Sequence, residues 1–274
     1  MFNTLSEMIS YGFLRRALLV GVLVALCCAL LGVSLVLKRY SMIGDGLSHV
    51  GFGAISVALA MNAAPLAVTL PVVVLAAFFL LRISSDSSIN GDAAIAVISS
   101  SALAFGLIVT SLSSGSNADA QSYLFGSVLA MSSADVVLSV VMSVVVLVLY
   151  LGCYHRMFAV TFDEPFARAT GIPVGVYHTL LALLTAVTVV VGMRLMGALL
   201  ISSLVIFPAL TSMRVCRSFL GVTVCSAVVS VVCFVCGLVL SYIYNTPAGA
   251  SVVGVNFAAF VIAFIAGKAT HRTD

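Results

Sequence analysis

Uncharged apolar runs alternate with short charged or turn-forming breaks along almost the whole chain. Residues 17–37 carry no charge, and Lys38-Arg39 ends the run. Residues 46–81 are uncharged apart from His49, and the turn-forming segment 62–65, Asn62 to Pro65, divides them in two. Further runs cover 93–112, 134–151, 178–193 and 195–213. The last, 218–267, is fifty residues without a charge, divided at Asn245-Thr-Pro-Ala-Gly249. About 20 apolar residues cross a hydrocarbon core. The pattern therefore predicts eight or nine transmembrane helices in one membrane domain covering residues 1–274. Segment 113–133 reads as a loop with an interfacial or re-entrant piece. Segment 152–177 is the longest polar connection.

Composition agrees with this all-α, polytopic helix bundle. Of 274 residues, 62% are hydrophobic and 8% charged. A chain so apolar cannot cover a water-facing surface, and lipid is its natural surrounding. No polar stretch is long enough to fold outside the bilayer. No small-residue cleavage pattern follows the first run, which ends in a basic stop-transfer flank. Most of the seven cysteines lie in or beside apolar runs and read as small hydrophobic fillers, Cys233 and Cys236 included. Trp is absent, so Tyr near the run ends, Tyr150 among them, is the expected interfacial anchor.

Basic residues favour cytoplasmic loops. With Lys38-Arg39 placed inside, Arg82, Arg156, Arg168, Arg214, Arg217, Lys268 and Arg272 fall inside too. Arg15 and Arg16 then lie on the opposite side, unless segment 4–13 is an amphipathic helix flat on the surface. This distribution is a topology signal, not a nucleic-acid patch. Arg194 falls between two runs, where it can snorkel outward, neutralise a carboxylate such as Asp119, or repel cations at an outer gate.

The segment Gly44-Asp45-Gly46-Leu47-Ser48-His49 holds the most informative chemistry. Asp45 and His49 are four residues apart, hence on one helical face. An intramembrane ionisable residue is costly and commonly functional. A carboxylate and an imidazole at this spacing suit a divalent metal. The flanking glycines permit local unwinding. The same residues also allow a plainer reading, with Asp45 capping the helix and His49 bonded to a neighbour. Two such pairs from two chains can meet across a two-fold axis. Small residues in 51–60 and at Ala198, Ser202 and Ser203 predict close helix approach.

Segment 36–50, VLKRYSMIGDGLSHV, resembles the signature of the zinc/manganese/iron permeases of ABC importers, with Gly46 and Val50 replacing two alanines. Segments 123–129 (YLFGSVL), 162–173 (FDEPFARATGIP, with Glu164 as one extra residue) and 197–211 (GALLISSLVIFPALT) resemble three further stretches of that family. The resemblance implies a type II ABC importer-like fold with no catalytic residue and no resident cofactor. The metal, zinc first and otherwise manganese or iron, is the transported substrate, and Asp45 and His49 are its ligands.

It also implies a short cytoplasmic helix that docks on an ATP-binding cassette subunit, with Asp163, Glu164, Phe166, Arg168 and Gly171 as coupling residues. An extracytoplasmic metal-binding protein and a second permease copy, identical or paralogous, would complete the assembly in a bacterial cytoplasmic membrane. No P-loop pattern is present in the chain, so ATP hydrolysis would belong to the partner. The rival reading is a proton-coupled secondary metal transporter, which prefers inverted repeats and several intramembrane acids.

Overall fold

A computed structural model describes residues 12–84, 91–113 and 133–270. The described residues form helices joined by short turns, with no strand among them. In chain order these are α1 (Gly12–Leu37), α2 (Ile43–Ala60), α3 (Pro65–Ser84), α4 (Gly91–Leu112), α5 (Ser133–Gly152), α6 (Tyr154–Phe162), α7 (Glu164–Ala169), α8 (Val174–Met196), α9 (Ala198–Val215), α10 (Phe219–Tyr244) and α11 (Ala248–Thr270). Eight of them are long and apolar enough to cross a membrane. The apolar part of α3, Pro65–Leu80, is shorter.

The predicted divisions fall where the turn chemistry put them. Asn62 between α2 and α3, and Asn245 after α10, both adopt positive φ (51° and 55°), a region Asn tolerates better than most residues. Segment 113–133, with the predicted interfacial piece and motif 123–129, lies almost wholly outside the described residues, as does most of 4–13. The long polar connection contains the expected short helix, α7, and also α6, which the sequence did not announce. Phe158 of α6 stacks near Phe219 at the start of α10, with ring centroids 4.8 Å apart.

Helix α1 is the centre of the bundle. Fifteen of its 26 residues are buried, and it packs on α5, α8, α9 and α10. At Gly32 the backbone of α9 comes so close that a β-carbon would meet the Val205 carbonyl. Ser226 and Ser230 of α10 donate hydrogen bonds to Ala29 O and Ala25 O of α1. A second tight pairing joins α2 and α4, where a β-carbon on Gly53 would lie 2.9 Å from Ala102 O. These are the close approaches that small residues allow between helices in lipid.

Two expectations are corrected. Tyr150 is not an interfacial anchor: it is 1% exposed, and its hydroxyl lies 3.3 Å from Ser34 Oγ inside the bundle. Arg194 does not separate two helices. It lies in the last turn of α8, and Gly197 alone joins α8 to α9, with φ +86°. Arg194 pairs with Asp135 in the first turn of α5 at 2.9 Å, whereas Asp119 lies outside the described residues.

Candidate functional site

Asp45 lies in the first turn of α2. The helix begins at Ile43 and runs without a break through Gly44 and Gly46, so the unwinding that the glycines permit does not occur. Gly46 serves packing instead, because a β-carbon there would lie 2.7 Å from Ile95 Cγ2 of α4. Asp45 is not the cap: Met42 holds that position and no side chain caps the helix. The carboxylate is therefore left for other partners.

One of these partners is His49. Its Nε2 lies 3.5 Å from Asp45 Oδ2, one helical turn on. His49 Nδ1 is buried and has no hydrogen-bond partner, a state that costs free energy. The other partner is Ser202 of α9, whose hydroxyl donates to Asp45 Oδ1 at 3.1 Å. Both Asp45 and His49 line a cavity of about 460 Å³ between α2, α4, α9 and α11. Ser202 and Ser203 line the same cavity, and Ser203 Oγ is buried without a partner. The remaining wall is apolar, including Leu103, Phe207 and Val253.

The cavity thus presents one carboxylate, one imidazole and two hydroxyls against an apolar wall. Oxygen and imidazole nitrogen donors together suit divalent first-row metals. Among the described residues no cluster of three or more His, Cys, Asp or Glu forms a metal cage. A single chain therefore offers a partial ligand set. Ser202 and Ser203 read in the sequence as packing residues only; their closeness to Asp45 appears only once α9 is folded beside α2.

The five coupling candidates form a separate unit at the end of the bundle that carries Lys38. Asp163 caps α7, accepting from Phe166 N at 2.9 Å through Oδ1, and Pro165 occupies the first turn. Gly171, with φ +81°, ends it, and Ile172 N returns to Ala167 O at 3.0 Å. Only Ala167 of α7 is buried, whereas Phe166 is 61% exposed. Arg168 points outward and pairs with Glu164 along the helix at 3.2 Å.

Glu164 has a further set of contacts that sequence reasoning did not foresee. It lies 3.9 Å from Lys38 Nζ, in the α1–α2 connection, and 3.4 Å from His178 Nε2 in α8. Lys38 Nζ is itself 2.6 Å from His178 Nε2. Burial lowers the Lys38 pKa from the usual lysine value, against the opposing pull of the Glu164 carboxylate.

Comparison with known proteins bears on this arrangement. The manganese import system permease protein ScaB of Streptococcus gordonii is 30% identical over 256 residues, covering 93% of this chain and 91% of that protein. The high-affinity zinc uptake system membrane protein ZnuB of Haemophilus influenzae is 28% identical over 243 residues, covering 89% and 93%. Among solved structures, PsaBC from Streptococcus pneumoniae in complex with Fab superposes with a TM-score of 0.83 at 29% identity, covering 95% of each chain. The profile of the ABC 3 transport family matches residues 10–267. With the sequence signature, the helical fold and nearly the full length in agreement, this chain belongs to the ABC 3 transport family.

Proposed function

We propose that this chain is the permease of an ATP-driven importer of divalent transition metal ions, and that Asp45 and His49 hold the ion in transit. The observation that carries the reading is the placing of these two side chains, 3.5 Å apart, on a cavity wall where His49 Nδ1 has no partner. Relatives named for manganese import and zinc uptake support the class of substrate. Zinc and manganese both accept carboxylate and imidazole donors, and iron does too.

The ligand set of one chain is incomplete, and the cavity opens on the surface of the chain. A second permease copy, identical or paralogous, facing this opening would double the donors to two carboxylates and two imidazoles. Weak, shared ligation suits a passage that must also release its ion. An extracytoplasmic metal-binding protein would deliver the metal, and an ATP-binding cassette subunit would dock on α7 through Phe166 and Arg168. A bacterial cytoplasmic membrane is the setting of such an importer.

The test is uptake of radioactive zinc and manganese by cells expressing wild type, Asp45→Ala or His49→Ala at matched membrane levels. Both variants are expected to insert normally and to lose most uptake, by about 100-fold if each removes one strong ligand interaction. Full uptake by both variants refutes the site. Competition between the two metals in the wild type then ranks zinc against manganese.

A further inference from the structure

The Lys38–Glu164–His178 cluster stands apart from the metal site, and metal ligation gives it no role. Lys38 is only 9% exposed at its side chain and His178 18%. Surface ion pairs contribute little, but a lysine this covered needs its partners. Arg168 and Tyr40 also border the cluster. Its three members come from three places in the chain: the α1–α2 connection, the start of α7 and the first turns of α8.

Two contacts of Glu164, with Lys38 and with His178, lead to Asp45 by different routes. From Lys38 the chain passes through a turn that is hydrogen-bonded at successive steps. Arg39 N donates to Val36 O, Tyr40 N to Leu35 O and Ile43 N to Tyr40 O. Asp45 follows two residues later, inside α2. From His178 the route is α8, a 23-residue helix, then the single residue Gly197, then Ser202 in the second turn of α9. Ser202 donates to Asp45. The two routes close a ring with Glu164 at one end and the Asp45–Ser202 hydrogen bond at the other.

We propose that Glu164 is a positioning residue that couples α7 to the metal site. Through Lys38 it holds the α2 side of the site and through His178 the α8–α9 side, so that a shift of α7 changes the gap between Asp45 and Ser202. This rests on the reading of α7 as the element that docks the ATPase. It gives Glu164 a role distinct from that of Phe166 and Arg168, whose side chains face outward. Coupling of this kind needs a physically connected path with two arrangements, and the ring supplies the path.

The experiment uses the complete importer, permease with its ATPase and binding protein, reconstituted in vesicles. ATP hydrolysis and zinc or manganese uptake are measured on the same preparation. Glu164→Gln keeps the shape and removes the charge. It is expected to co-purify with the ATPase as wild type does, while metal moved per ATP falls about tenfold. Lys38→Glu and Glu164→Lys each lose coupling, and the double charge swap regains most of it.

Unchanged metal per ATP in Glu164→Gln overturns the proposal, and so does a charge swap no better than its single variants. Loss of ATPase co-purification in Glu164→Gln also overturns it, because Glu164 would then belong to the docking surface. Phe166→Ala tests the docking reading separately. If it leaves ATPase binding intact, α7 is not the docking element, whatever Glu164→Gln does.

Discussion

Ser202 Oγ donates to Asp45 Oδ1 at 3.1 Å across 157 residues of sequence, and shares its proton with Ala198 O at the same distance. The bond joins two helices that both line the cavity. It also fixes which carboxylate oxygen, Oδ2, is left beside His49.

Ser202→Ala should therefore loosen the carboxylate without removing either proposed ligand. A hydrogen bond to a charged group is worth about 1.5 kcal/mol or somewhat more, so the half-saturating metal concentration should rise roughly tenfold. Ser202→Thr keeps the hydroxyl and should stay near wild type. Concentration-dependent uptake in vesicles measures both.

Asp163→Ala removes the cap of α7. Loss of such a cap costs about 1 kcal/mol, a large share of what holds a six-residue helix. Limited proteolysis should then cut within 163–171 faster than in wild type, and co-elution with the ATPase should weaken. Asp163→Asn or Asp163→Ser should restore both.

Gly32→Ala places a β-carbon against the Val205 carbonyl, with backbone on both sides and no flexible side chain to yield. Overpacking of this kind costs about 3 kcal/mol. A marked fall in the thermal midpoint of the purified protein is expected. Gly254→Ala, with nothing within 4 Å of its β-carbon, should raise the midpoint slightly, because Ala is the better helix former, so the pair separates crowding from helix propensity.

Arg194 and Asp135 join the end of α8 to the start of α5. Their side chains are 31% and 20% exposed, so solvent screens part of the attraction. A double-mutant cycle with Arg194→Gln and Asp135→Asn should give a coupling of about 1 kcal/mol. Thermal melts of the four proteins in one detergent read it directly.

What could be read before folding was local. Run lengths marked the crossings because lipid tolerates few interior charges. Asn62 and Asn245 marked two turns through their tolerance of positive φ. Asp45 and His49 could be paired because four residues make one helical turn. Asp163, Pro165 and Gly171 outlined α7 because caps and stops act over three or four residues. The contacts that give these pieces context could not be read in the same way. Ser202 with Asp45, Lys38 with Glu164 and His178, and Arg194 with Asp135 are meetings between distant segments, set by how helices pack. Tyr150 misled for the same reason: its place near the end of a run says nothing of which way α5 faces.

The crowding at Gly32 and the serine bonds from α10 fasten α1, α9 and α10 into one block. The approach of Gly53 to Ala102 fastens α2 to α4 as another. A β-carbon added at Gly44 of α2 would lie 3.5 Å from Val205 of α9, an ordinary contact, so the seam between the blocks is packed less tightly there than their interiors. Asp45 sits on one side of that seam and Ser202 on the other. On the proposed reading, an ion held by Asp45 would rest on this fault line, and a slip between the blocks would change the grip on it while neither block had to deform.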